Sequence, residues 1–327
     1  MPLISIILPT YNVEKYIARA LDSCINQTLQ DIEIIVVDDK GQDKSIDIAK
    51  EYASRDNRIK IIDNIENKGT YEARNVGVRN ASSELIMFLD PDDELEFNAC
   101  KKAFECISQD NLDFVCFNFK NYKVNEIKDN KFVSFNETIL NINDHKKLFS
   151  QYGWDFWGWT IWNKAYKKSI YLESVLKINT NGNKMNMAED ALAFYFIVTN
   201  CKGKVGYINE FLYKYYENPS SITNQDNDKK NKTIQQYETV LNIIENSCDN
   251  DFLNKYLIHL TIFYWHYKCD KLYDYEQYLH YIAKNKNDYI FNRKIYVKEK
   301  LWIYKNIKKA KFKYFLYYLF YKVMDKF

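Results

Sequence analysis

The stretch LIMFLDPDDELE, Leu85–Glu96, sets an apolar run directly ahead of Asp90, Asp92 and Asp93, with Glu94 and Glu96 close behind. An uninterrupted apolar run of this length reads as a strand buried on both faces. Carboxylates crowded at its end repel one another, and each would be better hydrated in open solvent. Two readings account for them. In one, Asp90 is an N-cap, Pro91 the first helical residue, and Asp92, Asp93 and Glu94 are first-turn acids favoured by the helix dipole. In the other, the acids help to hold a divalent cation, Mn²⁺ or Mg²⁺. Such ions prefer oxygen ligands and often take one or two carboxylates plus substrate phosphates. Capping explains one or two acids better than five.

The surrounding chain decides which kind of sheet receives this strand. Short apolar runs at Leu3–Leu8, Ile32–Val37 and Ile59–Ile62 read as strands. Between them, helical spacing covers Glu14–Thr28 and Lys44–Ser54, and Thr70–Asn80 precedes the Leu85–Leu89 strand. A helix over Glu94–Ser108 and a fifth strand at Asp113–Phe119 continue the alternation. That order predicts an α/β fold, a Rossmann-like mainly parallel sheet flanked by helices. Ligands of such sheets bind beyond the carboxyl ends of the strands. Asp38 and Asp39 end the second strand there, on the same edge as Asp90, Asp92 and Asp93.

After residue 120 the chain turns polar, and then GWDFWGWTIWNKAYKKSIY places Trp154, Trp157, Trp159 and Trp162 close together. Core packing suits most of them. One or two can serve as a platform for an acceptor sugar, with Trp157 and Trp159 the candidates. A helix starts near Met187, KVGYI and FLYKYY read as two short strands, and residues 231–327 read as helical throughout. The expected division is 1–220 as the main domain, with halves 1–120 and 121–220, followed by a helical region 221–327.

The chain has 327 residues, a net charge of +2 and 17% aromatic residues, with only 8 Gly and 4 Pro, so a folded core is expected. Seven cysteines without a CxxC pair suggest reduced thiols and no zinc site. The amino terminus lacks the pattern of a signal peptide, and no apolar run is long enough to span a membrane. Residues 291–327 hold 11 Lys/Arg against 2 Asp/Glu, whereas the remainder is net acidic. Phe312, Phe315, Leu316, Leu319, Phe320 and Val323 recur there at helical spacing. A basic amphipathic helix of this kind suits an anionic membrane surface; a packed helix with a solvated basic face is the alternative. The acidic remainder and the lack of a binding motif argue against nucleic acid.

Several families are excluded by pattern. No Gly and Glu stand where an EF-hand loop starting at Asp90 would need them. Neither GxGxxG nor GxxxxGK[ST] is present. A haloacid-dehalogenase phosphatase would carry its DxD after the first strand of its core, not the fourth. Taken together, SIILPTYNVEKYIARALDSCINQT, DIEIIVVDD, NKGTYEARNVG and ELIMFLDPDDE resemble the family 2 glycosyltransferases of GT-A fold almost continuously over residues 3–96. WNKAYKKS and AEDALAF are similar to bacterial lipooligosaccharide and capsule transferases.

The resemblance implies roles. Pro9, Thr10 and Tyr11 line the nucleotide pocket. Asp39 accepts a hydrogen bond from uracil, and Arg74 counters nucleotide charge. Asp90 and Asp92 form the DxD, Asp92 for the metal and Asp90 for the donor sugar. Asp190 is the catalytic base and Glu189 orients the acceptor. Lys40 intervenes between Asp39 and Gly41, where the family usually continues with Gly-Ser. The implied activity is inverting transfer of a hexose, galactose first, then glucose or an N-acetylhexosamine. The donor is a UDP-sugar, the acceptor an oligosaccharide or lipid-linked surface glycan, and the product β-linked. The expected location is cytoplasmic, peripheral on the inner face of the membrane. A non-catalytic nucleotide-sugar-binding protein and a metal-dependent nucleotide phosphohydrolase are the rivals.

Overall fold

The computed structural model describes residues 1–123, 126–130, 139–146, 159–176, 178–180, 182–218 and 227–247, together with 261, 264, 277, 278 and 281. Trp154, Trp157 and the basic stretch 291–327 lie outside the described residues, so the readings made there are not addressed by it.

The amino-terminal half follows the expected alternation: β1 (Ile4–Thr10), α1 (Ile17–Ile25), β2 (Ile32–Asp38), α2 (Ser45–Arg55), β3 (Ile59–Asp63), α3 (Thr70–Asn80) and β4 (Leu85–Phe88). There follow β5 (Glu94–Leu95), α4 (Ala99–Asp110), β6 (Phe114–Lys123), β7 (Glu126–Asn130) and β8 (Ile139–Asn141). The remainder comprises β9 (Lys164–Lys167), α5 (Lys168–Ser174), α6 (Glu189–Asn200), β10 (Lys204–Tyr216) and α7 (Asn227–Glu245).

All seven residues of β1 are buried, as are the first six of β2, because helices cover both faces of the sheet. Each large aliphatic side chain so enclosed contributes about 1.5–3 kcal/mol. α3 sits close on this layer: a Cβ added at Gly77 would lie 2.3 Å from Ile7 Cγ2. Only hydrogen fits there.

The strand order is β3-β2-β1-β4-β9-β6-β10-β5, with β7 paired to β6 and β8 to β10. β3, β2, β1 and β4 run parallel, as expected. Beyond them the sheet is mixed. β9 is antiparallel to both β4 and β6, while β6 and β10 are parallel. KVGYI and FLYKYY form one strand, β10, with register shifts between Ile208 and Tyr213.

The expected helix over Glu94–Ser108 is corrected. It begins at Ala99, and Glu94–Leu95 instead pair antiparallel with Lys214 and Tyr213. The cause is Asp93, whose carboxylate accepts hydrogen bonds from Tyr213 Oη and the Tyr216 amide, both at 2.7 Å. This ties the DPDD turn to β10. The capping reading of Asp90 and Pro91 therefore fails: Asp93 N donates to Asp90 O at 2.9 Å in a turn, not in a helix.

Candidate active site

β1, β2 and β4 are parallel neighbours, so Tyr11, Asp39 and Asp90 all emerge at one edge. With about 4.8 Å between adjacent strands, the ends of β2 and β4 flank β1 roughly 10 Å apart. Pro9 and Thr10 are fully enclosed in the sheet, and Thr10 Oγ1 donates back to Leu8 O at 3.1 Å. Of the three residues expected to line a nucleotide pocket, Tyr11 is the one presented, at 46% exposure. Lys184 Nζ stands 5.8 Å from its ring centroid.

Asp39 is buried and holds the loop ahead of α3. Its Oδ1 accepts from Asn64 Nδ2 at 3.0 Å and from the Lys68 amide at 2.8 Å, and its Oδ2 accepts from the Gly69 amide at 2.9 Å. Gly69 has φ of +86°, and a Cβ there would meet Asn186 Oδ1 at 2.5 Å. Asn186 Oδ1 in turn accepts from the Thr70 amide at 2.8 Å, and the Tyr71 amide donates to Met185 O. These contacts bind the start of α3 to the segment leading into α6. That junction brings Arg74 beside Glu189 and Asp190, two residues more than a hundred positions away in sequence.

Arg74 is the centre of the site. Its Nη1 lies 2.6 Å from Asp190 Oδ1 and 3.1 Å from Glu189 Oε1, while its Nη2 lies 2.7 Å from Asp90 Oδ1. Its side chain is 3% exposed, and Nε has no hydrogen-bond partner among the described residues. One guanidinium thus serves three carboxylates. Burial pushes Glu189 upward and neighbouring Asp190 adds to the effect, with Arg74 opposing both. Burial likewise raises Asp190; Arg74 opposes it and Asp90 reinforces it. Glu189 and Asp190 open α6 after Ala188, which holds a left-handed φ of +60°. The helix amino terminus favours their negative charge.

The acids of Leu85–Glu96 divide into two sets. Glu94 pairs with Arg19 Nε at 3.0 Å and with Lys214, Glu96 also pairs with Lys214, and Asp93 anchors β10. These three are structural. Asp90 faces Arg74. Asp92 Oδ2 accepts from Asn218 Nδ2 at 2.9 Å, and its carboxylate has no ion-pair partner among the described residues. Burial first, and Asp90 second, raise the pKa of Asp92. Hard carboxylate oxygens whose negative charge is left uncompensated fit Mn²⁺ or Mg²⁺. Among the described residues no three acidic, His or Cys side chains are placed to hold a metal ion together, so phosphate oxygens and water would have to complete the coordination shell.

Trp159 is half-buried against the core, and Trp162 is buried between Tyr213 and Tyr215, with ring centroids 4.5 and 5.6 Å away. Sequence reasoning did not find Asn218, Tyr213, Arg19, Asn186 or the Ile161 amide, which donates to Asp190 Oδ2 at 3.3 Å. Lys164 lies within WNKAYKKS, where nothing in the sequence marks one lysine as buried.

Residues 5–178 match the family model of Glycosyl transferase family 2. The chain is 32% identical over 231 residues to the uncharacterized glycosyltransferase EpsJ of Bacillus subtilis, a match covering 68% of this chain and 63% of that protein. It is 30% identical over 268 residues to the putative glycosyltransferase EpsH of the same organism, covering 80% and 74% respectively. Among solved structures, residues 1–349 of S. aureus TarS in complex with UDP-GlcNAc superpose with a TM-score of 0.65 at 20% identity, over 86% of this chain and 80% of that one. A family match spanning more than half of the sequence, on a sheet of this order, decides membership: the chain belongs to glycosyl transferase family 2 and has the GT-A fold.

Proposed function

We propose that the chain moves a hexose from a UDP-sugar to a hydroxyl of a surface glycan, inverting the anomeric carbon, with Asp190 as base and a divalent cation at Asp92. The observation that carries this reading is the Arg74 junction. It joins Asp90, just past β4, to Asp190, at the start of α6. A group that binds donor and a group that can take a proton are thereby held to one guanidinium. The complex of S. aureus TarS with UDP-GlcNAc supports a uridine diphosphate donor.

Burial makes Asp190 a better proton acceptor than a solvated carboxylate. Its bond from the Ile161 amide is long, so Oδ2 keeps capacity for an acceptor hydroxyl. As that hydroxyl oxygen attacks the anomeric carbon, its proton passes to Asp190. The bond from carbon to the diphosphate oxygen breaks, and its electron pair leaves with UDP. When bound, the cation supplies compensation for charge on the leaving diphosphate. A single displacement converts an α-linked donor into a β-linked product. Galactose is the first candidate, then glucose or an N-acetylhexosamine, with an oligosaccharide or lipid-linked glycan as acceptor.

A thermal-shift panel of UDP-galactose, UDP-glucose and UDP-N-acetylglucosamine, each with Mn²⁺ or with chelator, tests donor and metal together. A shift that needs both UDP-sugar and Mn²⁺ is expected. Equal shifts in chelator would remove the metal, and no shift with any donor would remove the function. Among the described residues no helix is long and apolar enough to cross a membrane. The basic composition of residues 291–327 supports contact with an anionic membrane surface, at the cytoplasmic face. Removing residues after Lys300 should release the protein from vesicles containing phosphatidylglycerol; unchanged binding would refute this part.

A further inference from the structure

A buried lysine lies behind the acids at the start of α6. Lys164, the first residue of β9, is fully enclosed, and its Nζ donates to Thr160 O and, at 2.9 Å, to Asn163 Oδ1. Thr160 Oγ1 donates to the same Asn163 oxygen at 2.7 Å, and Asn163 Nδ2 donates to Phe117 O at 3.4 Å. The turn Thr160–Asn163 is thus pinned from the lysine side. That turn presents the Ile161 amide to Asp190 Oδ2, while Tyr166 Oη holds the Ile161 carbonyl at 3.2 Å. Lys164 Nζ also stands 4.8 Å from the ring centroid of Phe194, one helical turn after Asp190 on α6.

Holding a turn does not by itself require a cation. Enclosing an ammonium costs several kcal/mol, and a neutral chain of equal length would fill the space. The charge makes sense beside a carboxylate that must stay ionised. We propose that Lys164 is a positioning residue for Asp190: it fixes the turn that holds one carboxylate oxygen and sets a buried positive charge behind it. This rests on the reading of Asp190 as the base. Burial draws Lys164 down to about 8, with Cys116 and Asp190 resisting the fall, so it remains largely protonated at neutral pH. Among the described residues, the groups that face Asp190 are Arg74 of α3, Asp90 beyond β4, Glu189 on its own helix, Lys164 and Tyr166 of β9, and Tyr171 of α5.

The test follows UDP release from UDP-galactose, UDP-glucose and UDP-N-acetylglucosamine with Mn²⁺ and water as acceptor, across pH. In Lys164→Met the acid limb of kcat should rise by about one pH unit, with KM for the donor unchanged. Below that limb the rate should fall about tenfold. Lys164→Arg should keep the wild-type limb. A Met variant slowed equally at every pH, with its limbs unmoved, would make Lys164 merely structural and overturn the proposal. If that variant fails to fold, Lys164→Gln, a neutral chain that can still donate to Thr160 O, takes its place, and an acid limb left unmoved in it overturns the proposal. Asp190→Asn separates the two readings. Wild-type turnover in that variant, or no turnover of any donor by the wild type, removes the base itself. A dead Asp190→Asn beside an unshifted Lys164→Met removes the lysine alone.

Discussion

At the amino end of the sheet, Glu33 of β2 is enclosed among donors: Ser5 Oγ at 2.5 Å, the Ser82 amide and hydroxyl at 2.5 and 2.8 Å, and Lys60 Nζ at 2.6 Å. Burial alone would raise its pKa, but these hydrogen bonds outweigh it and hold the carboxyl at about 2. At the carboxyl end, Asp92, Asp93, Glu189 and Asp190 are all raised, each chiefly by burial. Asp93 is raised despite two good donors, by burial first and then by Asp92 and Asp90 beside it. One end saturates a single acid with donors; the other crowds acids around one arginine. The fold gains from the first arrangement. It tolerates the second, and perturbed groups left uncompensated in this way are where chemistry is expected.

The largest effect should come from removing the proposed base. Asp190→Asn is expected to lower kcat by about 10²–10⁴-fold, as loss of general-base catalysis does. Its melting temperature should not fall, because Arg74 keeps Asp90 and Glu189 and one repelling charge is gone. A large loss of stability with activity retained would place Asp190 with Glu33 and break the contrast.

Arg74→Met comes next. It leaves Glu189 buried and Asp90 and Asp190 half-buried without their shared cation, which should destabilise the protein by about 3 kcal/mol in denaturant unfolding. Adding Asp190→Asn to it should recover part of that loss, since residues in one network are not additive. Strict additivity would mean that the acids do not strain one another.

The parallel half of this fold was legible because β1, β2 and β4 announce themselves as apolar runs between helices. The stretch Glu94–Leu95 did not, since its strand partner, Tyr213–Lys214, lies about 120 residues away and Asp93 mimics a helix cap. β9 escaped for the same reason: LysAlaTyrLys becomes a strand only between β4 and β6. In the site, Arg74, Asp90, Asp92, Glu189 and Asp190 stood in recognisable patterns. Asn218 and the Ile161 amide had no such signal, because one is a lone polar residue brought in by β10 and the other acts through its backbone.

The smallest effect tests the amino end. Glu33→Gln removes charge from four short hydrogen bonds and should cost about 1.5–3 kcal/mol at pH 7, leaving kcat unchanged. Its sign with pH is fixed. The folded carboxyl titrates at about 2, below the ordinary 4.5, so its stabilisation is complete above the ordinary value and is lost as pH falls through the folded one. The gap between wild type and Glu33→Gln, followed by urea unfolding, should therefore be widest near neutrality and narrow steadily below pH 4.5. Asp92 at the carboxyl edge carries a raised value and must behave in the opposite sense: its charge weighs against the fold as pH climbs, so neutralising it as Asn should help most at high pH. If both substitutions respond to pH in the same direction, the two ends of the sheet do not differ in the way their hydrogen bonds indicate.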